Sequence, residues 1–160
     1  MKKVYIILSL LIVFAMTSQA KSYQKTNLGI KTQINSTNVE IQFYTPSTVR
    51  IIKSPVDRNF TKESLTVIKK PQTAKFAANE QGDIISLKSD KMRVDLDTKS
   101  GKISYFTLDG KELLSEKEFG ATFTDFDDAG TKTYTINQSF TLDKDEAIYG
   151  LGQQQRGNLS

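Results

Sequence analysis

The side chains best able to do chemistry are five carboxylates in the second half of the chain: Asp95, Asp97, Glu112, Glu116 and Glu118. Two carboxylates about 5–10 Å apart are enough for acid–base or nucleophilic attack on a glycosidic bond. Their sequence setting argues against that use. They occupy polar positions of alternating segments or turns, so they read as surface groups, because Asp and Glu are rarely buried without partners. The acidic run Asp125-Phe126-Asp127-Asp128-Ala129-Gly130 begins like a calcium loop but fails as one. Ala129 stands where an oxygen ligand is needed, and Ile136 takes the place of the terminal bidentate Glu. It reads as a solvated hairpin turn. The chain has no His and no Cys. Imidazole triads, thiol catalysis, disulfides and His or Cys metal sites are therefore excluded within it. No catalytic, cofactor-binding or metal-ligating residue is assigned, and no cofactor is expected.

Tyr149-Gly150-Leu151-Gly152 is the other segment that stands out. Two glycines two apart let the backbone turn sharply and pack closely. A dinucleotide fingerprint would need a third Gly where Gln155 stands, and a helix to follow, so phosphate binding is not expected. The segment opens a Gly- and Gln-rich loop, and the chain stops at Ser160 while that loop is still being laid out. The 160 residues thus read as the front piece of a larger protein.

The first 20 residues are read as an address. Lys2 and Lys3 precede an uncharged apolar run from Val4 to Met16, and Ser18-Gln19-Ala20 offers small residues for cleavage after Ala20. The run is shorter than the roughly 20 residues that span a bilayer. A signal peptide over 1–20 is expected, with no membrane attachment after cleavage. A periplasmic or extracellular location follows from it. Removing Lys2 and Lys3 lowers the formal net charge of +4 by two. No basic stripe with interleaved aromatics remains, so nucleic acid is not an expected partner. There is no Trp, which weakens a free-standing sugar-binding module, since sugar platforms favour its face. Three matches to the N-glycosylation pattern, at Asn35, Asn59 and Asn137, carry no weight because the pattern is short.

From Lys21 onward the pattern is of strands and turns. Leu28, Ile30, Thr32 and Ile34 alternate, as do Val39, Ile41 and Phe43. Val49, Ile51 and Ile52 continue after Pro46. Leu65, Val67 and Ile68 suggest a strand before Pro71, and Phe76 falls in the next short one. Ile84, Ile85 and Leu87 follow a Gln81-Gly82-Asp83 turn. Met92, Val94 and Leu96 alternate strictly into an Asp97–Gly101 turn, and Ile103, Tyr105 and Thr107 line the return strand. Asp109-Gly110 predicts a two-residue hairpin. Leu113 and Leu114 are followed by a separate strand through Ala121 and Phe123. After the Asp127–Gly130 turn comes a longer strand through Tyr134, Ile136, Phe140 and Leu142. Turns every 8–12 residues or so predict an all-β antiparallel sandwich over 21–160 as one domain.

Three stretches then resemble the N-terminal region of family 31 glycoside hydrolases, the α-glucosidases and α-xylosidases. One runs from Val39 through Val49-Arg50-Ile51 to Lys53-Ser54-Pro55. A second runs from Met92-Arg93-Val94-Asp95-Leu96-Asp97 through Gly101-Lys102-Ile103 to Asp109-Gly110-Lys111-Glu112-Leu113-Leu114. The third, and most specific, is Phe140-Thr141-Leu142 followed by Glu146-Ala147-Ile148-Tyr149-Gly150-Leu151-Gly152-Gln153, similar to the family's L…E-x-[IF]-Y-G-L-G-[EQ] signature. The resemblance implies a galactose-mutarotase-like β-sandwich. In the family it precedes a (β/α)8 barrel that carries two catalytic Asp residues, a nucleophile and an acid/base. It implies that this chain is non-catalytic by itself, packs on that barrel and helps shape the substrate cleft, with an oligosaccharide as the parent enzyme's partner. The alternative is a stand-alone secreted carbohydrate-binding or surface module, displaying Tyr44, Tyr105, Phe106, Tyr134 or Phe140. A solitary mutarotase is disfavoured by the missing His.

Overall fold

A computed structural model describes residues 21–58, 65–72 and 74–147. The expected signal peptide and the Tyr149–Gly152 turn lie outside the described residues. The described part is all-β, with ten strands and no helix. In chain order they are β1 (Gln24–Lys25), β2 (Gly29–Ile34), β3 (Thr37–Thr45), β4 (Thr48–Pro55), β5 (Ala77–Gln81), β6 (Ile84–Lys88), β7 (Met92–Asp97), β8 (Ile103–Thr107), β9 (Glu112–Asp128) and β10 (Thr131–Thr141). All pairings are antiparallel between sequence neighbours. The four-stranded sheet runs β1-β2-β3-β4 and the six-stranded sheet β10-β9-β8-β7-β6-β5.

Alternation dictates the core. Ile30 and Ile34 on β2, and Val39, Ile41 and Phe43 on β3, face inward from the smaller sheet. Ile85 and Leu87 on β6, Val94 and Leu96 on β7, and Ile103 on β8 face them from the larger one. Register aligns these side chains across strands: Ile30 lies opposite Ile41, Ile85 opposite Leu96, Leu87 opposite Val94, and Leu96 also opposite Ile103. Each fully buried aliphatic side chain contributes about 1.5–3 kcal/mol. Phe76, just ahead of β5, stacks on Phe43 with ring centroids 5.8 Å apart.

The two long sides of this sandwich differ. On one, the edge strands β1 and β5 are drawn together: the Tyr23 hydroxyl donates to the Ala78 carbonyl at 3.2 Å, and the Ser22 N–H to Glu80 Oε2 at 3.1 Å. On the other, β4 and the β9–β10 hairpin flank a cleft of about 490 Å³, beyond which the Tyr134 hydroxyl donates to Asp57 Oδ2 at 3.2 Å. The hairpin closes in a two-residue turn with Ala129 at φ 48° and Gly130 at φ 91°, a type I′ geometry that suits strand twist.

Three local expectations are corrected. Leu65, Val67 and Ile68 form no strand, and Leu65 and Ile68 are 93% and 92% exposed. A short apolar run becomes a strand only where an edge receives it, and Lys69, Lys70 and Pro71 follow at once. Asp109-Gly110 does not make a two-residue turn. Only Gly110 has positive φ, and the connection is four residues long, with the Gly110 N–H on the Thr107 carbonyl at 3.1 Å and the Thr107 N–H on the Lys111 carbonyl at 2.9 Å. The segments around Leu114 and Phe123 are one strand, β9, interrupted by a bulge. Between the Glu116–Phe140 and Ala121–Gln138 pairs, β9 inserts residues 117–120 opposite Ser139 alone.

Candidate functional site

The bulge brings an unexpected group inside. Glu116, predicted to be a surface carboxylate, is 1% exposed at its side chain and pairs with Lys53 of β4, itself 6% exposed, at 2.6 Å. The correction has a physical cause. Inward-pointing positions of β9 reach the space between the sheets, and there both oxygens of Glu116 find donors. Its Oε2 also accepts the Ile103 N–H at 2.8 Å, and its Oε1 accepts Gln138 Nε2 at 2.8 Å. Lys53 Nζ further donates to the Gly101 carbonyl at 2.9 Å and the Phe119 carbonyl at 3.3 Å. Gly120 (φ +69°) completes the arrangement, because a Cβ there would lie 2.3 Å from Glu116 Oε2. Tyr105, lining the cleft beside this pair, has its phenol pushed well above its ordinary value, first by burial and then by the Glu116 charge.

This cluster is a tie between sheets, not a reaction centre. A carboxylate held by three donors and 1% exposed is closed off from any substrate. The remaining predicted carboxylates are not brought together. Asp95 accepts Ser86 Oγ at 2.7 Å and pairs with Arg93 at 3.1 Å. Asp97 caps its own turn through the N–H groups of Lys99 and Ser100 at 2.8 and 2.9 Å, and these, Ser100 first, hold its carboxyl below the ordinary range. Glu112 and Glu118 are exposed. Asp127 takes the Gly130 N–H and the Lys132 ammonium and acts as a turn residue. Among the described residues, no group of three or more His, Cys, Asp or Glu is placed to hold a metal ion.

What lies above the tie is a cleft whose walls mix apolar side chains with Arg50 and Gln138. Val49 and Ile51 of β4 face Phe123, Ile136 and Phe140 of the hairpin, with Tyr105 between them. Ile136 is 65% exposed and Phe140 43%, and Leu113, Phe119 and Phe126 are also bare on β9. The residue types in this wall were legible in the sequence. The pairing of Lys53 with Glu116 was not, although a lone Lys after Val49, Ile51 and Ile52 is the one local hint.

Of the aromatics that a carbohydrate-binding surface would display, Phe140 is 43% exposed, while Tyr44 and Phe106 are covered. Tyr44 is buried, with its hydroxyl accepting from Arg50 at 2.8 Å. Phe106 is covered by the Arg93 guanidinium at 4.3 Å.

Comparison with known proteins adds three findings. The family model described as the glycosyl hydrolase 31 N-terminal galactose mutarotase-like domain matches residues 38–160. An α-xylosidase of Saccharolobus solfataricus is 29% identical over 127 residues, which cover 79% of this chain and 17% of that enzyme. The crystal structure of a GH31 α-xylosidase from Xanthomonas citri superposes with a TM-score of 0.74 at 29% identity, over 84% of this chain and 15% of that one. The chain thus spans about a sixth of the length of these relatives.

Proposed function

Because this chain belongs to the glycosyl hydrolase 31 N-terminal galactose mutarotase-like domain family, we propose that it is the leading domain of an exported α-glycosidase. The enzyme acts on α-linked xylosides or glucosides. The domain performs no chemistry itself. It packs on the catalytic barrel and forms one wall of the substrate cleft. The observation that carries this reading is the family match to residues 38–160, supported by two α-xylosidase relatives. The bare apolar surface on β9 and β10 is what a domain interface leaves when its partner is absent. Export rests on Lys2, Lys3 and the Val4–Met16 run.

A stand-alone carbohydrate-binding module is less well supported. Tyr44 and Phe106 are covered, and the exposed apolar side chains of the cleft are mainly Ile136 and Phe140 rather than a polar-rimmed aromatic platform.

The test is to read the gene past codon 160 and express the product. The expected result is an in-frame barrel whose product hydrolyses p-nitrophenyl α-xyloside or α-glucoside with retained configuration, and whose mature N-terminus is Lys21. The 160-residue chain alone should be inactive on both. A longer product inactive on every α-glycoside tried, or a stop directly after Ser160, overturns the reading.

A further inference from the structure

The two sheets share no strand. All strands of the smaller sheet come from residues 24–55, and all strands of the larger from residues 77–141. Residues 56–76 are the stretch of chain that joins them. Within it, residues 65–72 belong to no strand or helix, and every one of them is exposed. Leu65 and Ile68 are 93% and 92% exposed, so the packed sandwich gains nothing from their apolar side chains. This strap is fixed at its far end, where the Gln72 N–H donates to the Tyr44 carbonyl at 2.9 Å. Beyond that point Ala74 is buried and Phe76 stacks on Phe43. An exposed segment outside any sheet is what an endopeptidase can draw out and hold extended.

We propose that the strap is a processing site, cut once by a trypsin-like endopeptidase between Lys69 and Lys70, and that the cut domain stays together as two chains. The strap reads Leu65-Thr66-Val67-Ile68-Lys69-Lys70-Pro71-Gln72, and no carboxylate lies between Leu65 and Phe76. A specificity pocket with a carboxylate at its base takes a Lys ammonium. Lys69 and Lys70 both offer one, but the bond after Lys70 leads into Pro71, whose ring removes the N–H and fixes φ. That leaves the bond after Lys69. Lys75 lies between buried Ala74 and stacked Phe76, so the chain there cannot be drawn into an active site. Lys99 and Lys111 are exposed, but hydrogen bonds close their turns, from the Gly101 N–H to the Asp97 carbonyl at 2.8 Å and from the Thr107 N–H to the Lys111 carbonyl at 2.9 Å. Lys144 stands between Asp143 and Asp145, whose charges oppose an acidic pocket. The cut consumes one water. The amide C–N bond breaks, Lys69 keeps a carboxylate and Lys70 gains an ammonium. The two pieces hold each other: Ile30, Ile41 and Phe43 lie on one side of the cut and Leu87, Leu96 and Ile103 on the other, in one core. The Tyr23 hydroxyl on the Ala78 carbonyl and Lys53 on Glu116 also cross it. The inference rests on the reading above of an exported leading domain, since export brings the strap to proteases outside the cytoplasm.

The test uses the longer product of the gene, recovered from its source, and the 160-residue chain. N-terminal sequencing of the recovered enzyme should find two starts, Lys21 and Lys70. Uncut protein given a brief pulse of trypsin should be cut within residues 21–160 first after Lys69, in the short chain and in the longer product alike. The two pieces should co-elute in native gel filtration and part in guanidinium. Lys69→Gln should abolish this cut and leave the melting temperature unchanged, because the side chain is exposed. Pro71→Ala should open a second cut, after Lys70. A first cut elsewhere, or pieces that separate without denaturant, overturns the proposal. A longer product that resists at Lys69 while the short chain is cut also overturns it, because the rest of the enzyme then covers the strap. Recovered enzyme with Lys21 as its sole start overturns the processing and leaves export standing. Recovered enzyme that starts at Met1 and is uncut overturns both. A stop after codon 160 overturns the leading-domain reading alone, and the recovered short chain then decides the processing by the same two N-termini.

Discussion

Lys53 Nζ stands 2.6 Å from Glu116 Oε2 although the two are 63 residues apart in sequence and lie on different sheets. The pair sits at the base of the open cleft and joins β4 to β9. Removing one partner strands the other charge out of water. Glu116→Leu or Lys53→Met should each lower the unfolding free energy by about 3–5 kcal/mol. The double variant Lys53→Met/Glu116→Leu removes both charges but leaves the Ile103 N–H and the Gly101 carbonyl unsatisfied. It should recover part of the loss and stay roughly 1–3 kcal/mol below wild type. Urea titration of the three variants checks this. Additive losses in the double variant would mean that the two groups do not interact.

Gly120 and Gly82 separate backbone conformation from collision. Both have positive φ, but a Cβ at Gly82 meets nothing within 4 Å, whereas at Gly120 it meets the pinned Glu116 carboxylate at 2.3 Å. Gly82→Ala should cost about 1–2 kcal/mol. Gly120→Ala should cost that plus roughly 1–3 kcal/mol of overpacking. Equal losses in thermal denaturation would show that the carboxylate moves aside freely.

Acid should weaken the turns first. The Asp97 carboxyl is held below its ordinary value of 3.8, mainly by the Ser100 N–H, and Asp127 below it by Lys132. A depressed folded value stabilises the protein above pH 3.8, and the benefit is lost as pH falls through the lower, folded value. The melting temperature should therefore hold from pH 7 to about 5 and fall toward pH 3. Asp97→Asn, which keeps the cap but not the charge, should flatten the fall. An unchanged slope in that variant would remove Asp97 from the explanation.

At the alkaline end Tyr105 takes over. Its phenol is raised above the ordinary 10.0 by burial and by Glu116. A raised folded value stabilises the protein below pH 10, and that contribution is lost as pH climbs toward the folded value. Wild type should destabilise above pH 10, and Tyr105→Phe should do so less. Phenolate absorbance should show one tyrosine ionising only on unfolding. A Tyr105→Phe variant with the wild-type alkaline profile would refute this.

The inner strands were legible because alternation is a local signal: Met92, Val94 and Leu96 announce their buried face without help from the rest of the chain. Long-range facts were not. Leu65, Val67 and Ile68 are just as apolar and form no strand. Asp109-Gly110 has the composition of a tight turn, yet the ladder on either side sets a longer one. Glu116 looks like any strand carboxylate until a bulge and a lysine from the other sheet give it an interior place. The family signature through Tyr149 and Gly150 placed the fold correctly while lying outside the described residues.

Among the described residues, every buried core residue falls between Tyr23 and Ile103. This centre is therefore in place in the nascent chain before β9 and β10 leave the ribosome. Until then Lys53 waits beside the finished core as a charge with no counter-ion. Chains arrested at successive lengths should gain protease resistance in two steps, the second as Glu116 emerges; a single step would refute it. The order of synthesis thus becomes an order of locking: the molecule condenses early, stays loosely latched, and is fastened when its late-made carboxylate arrives.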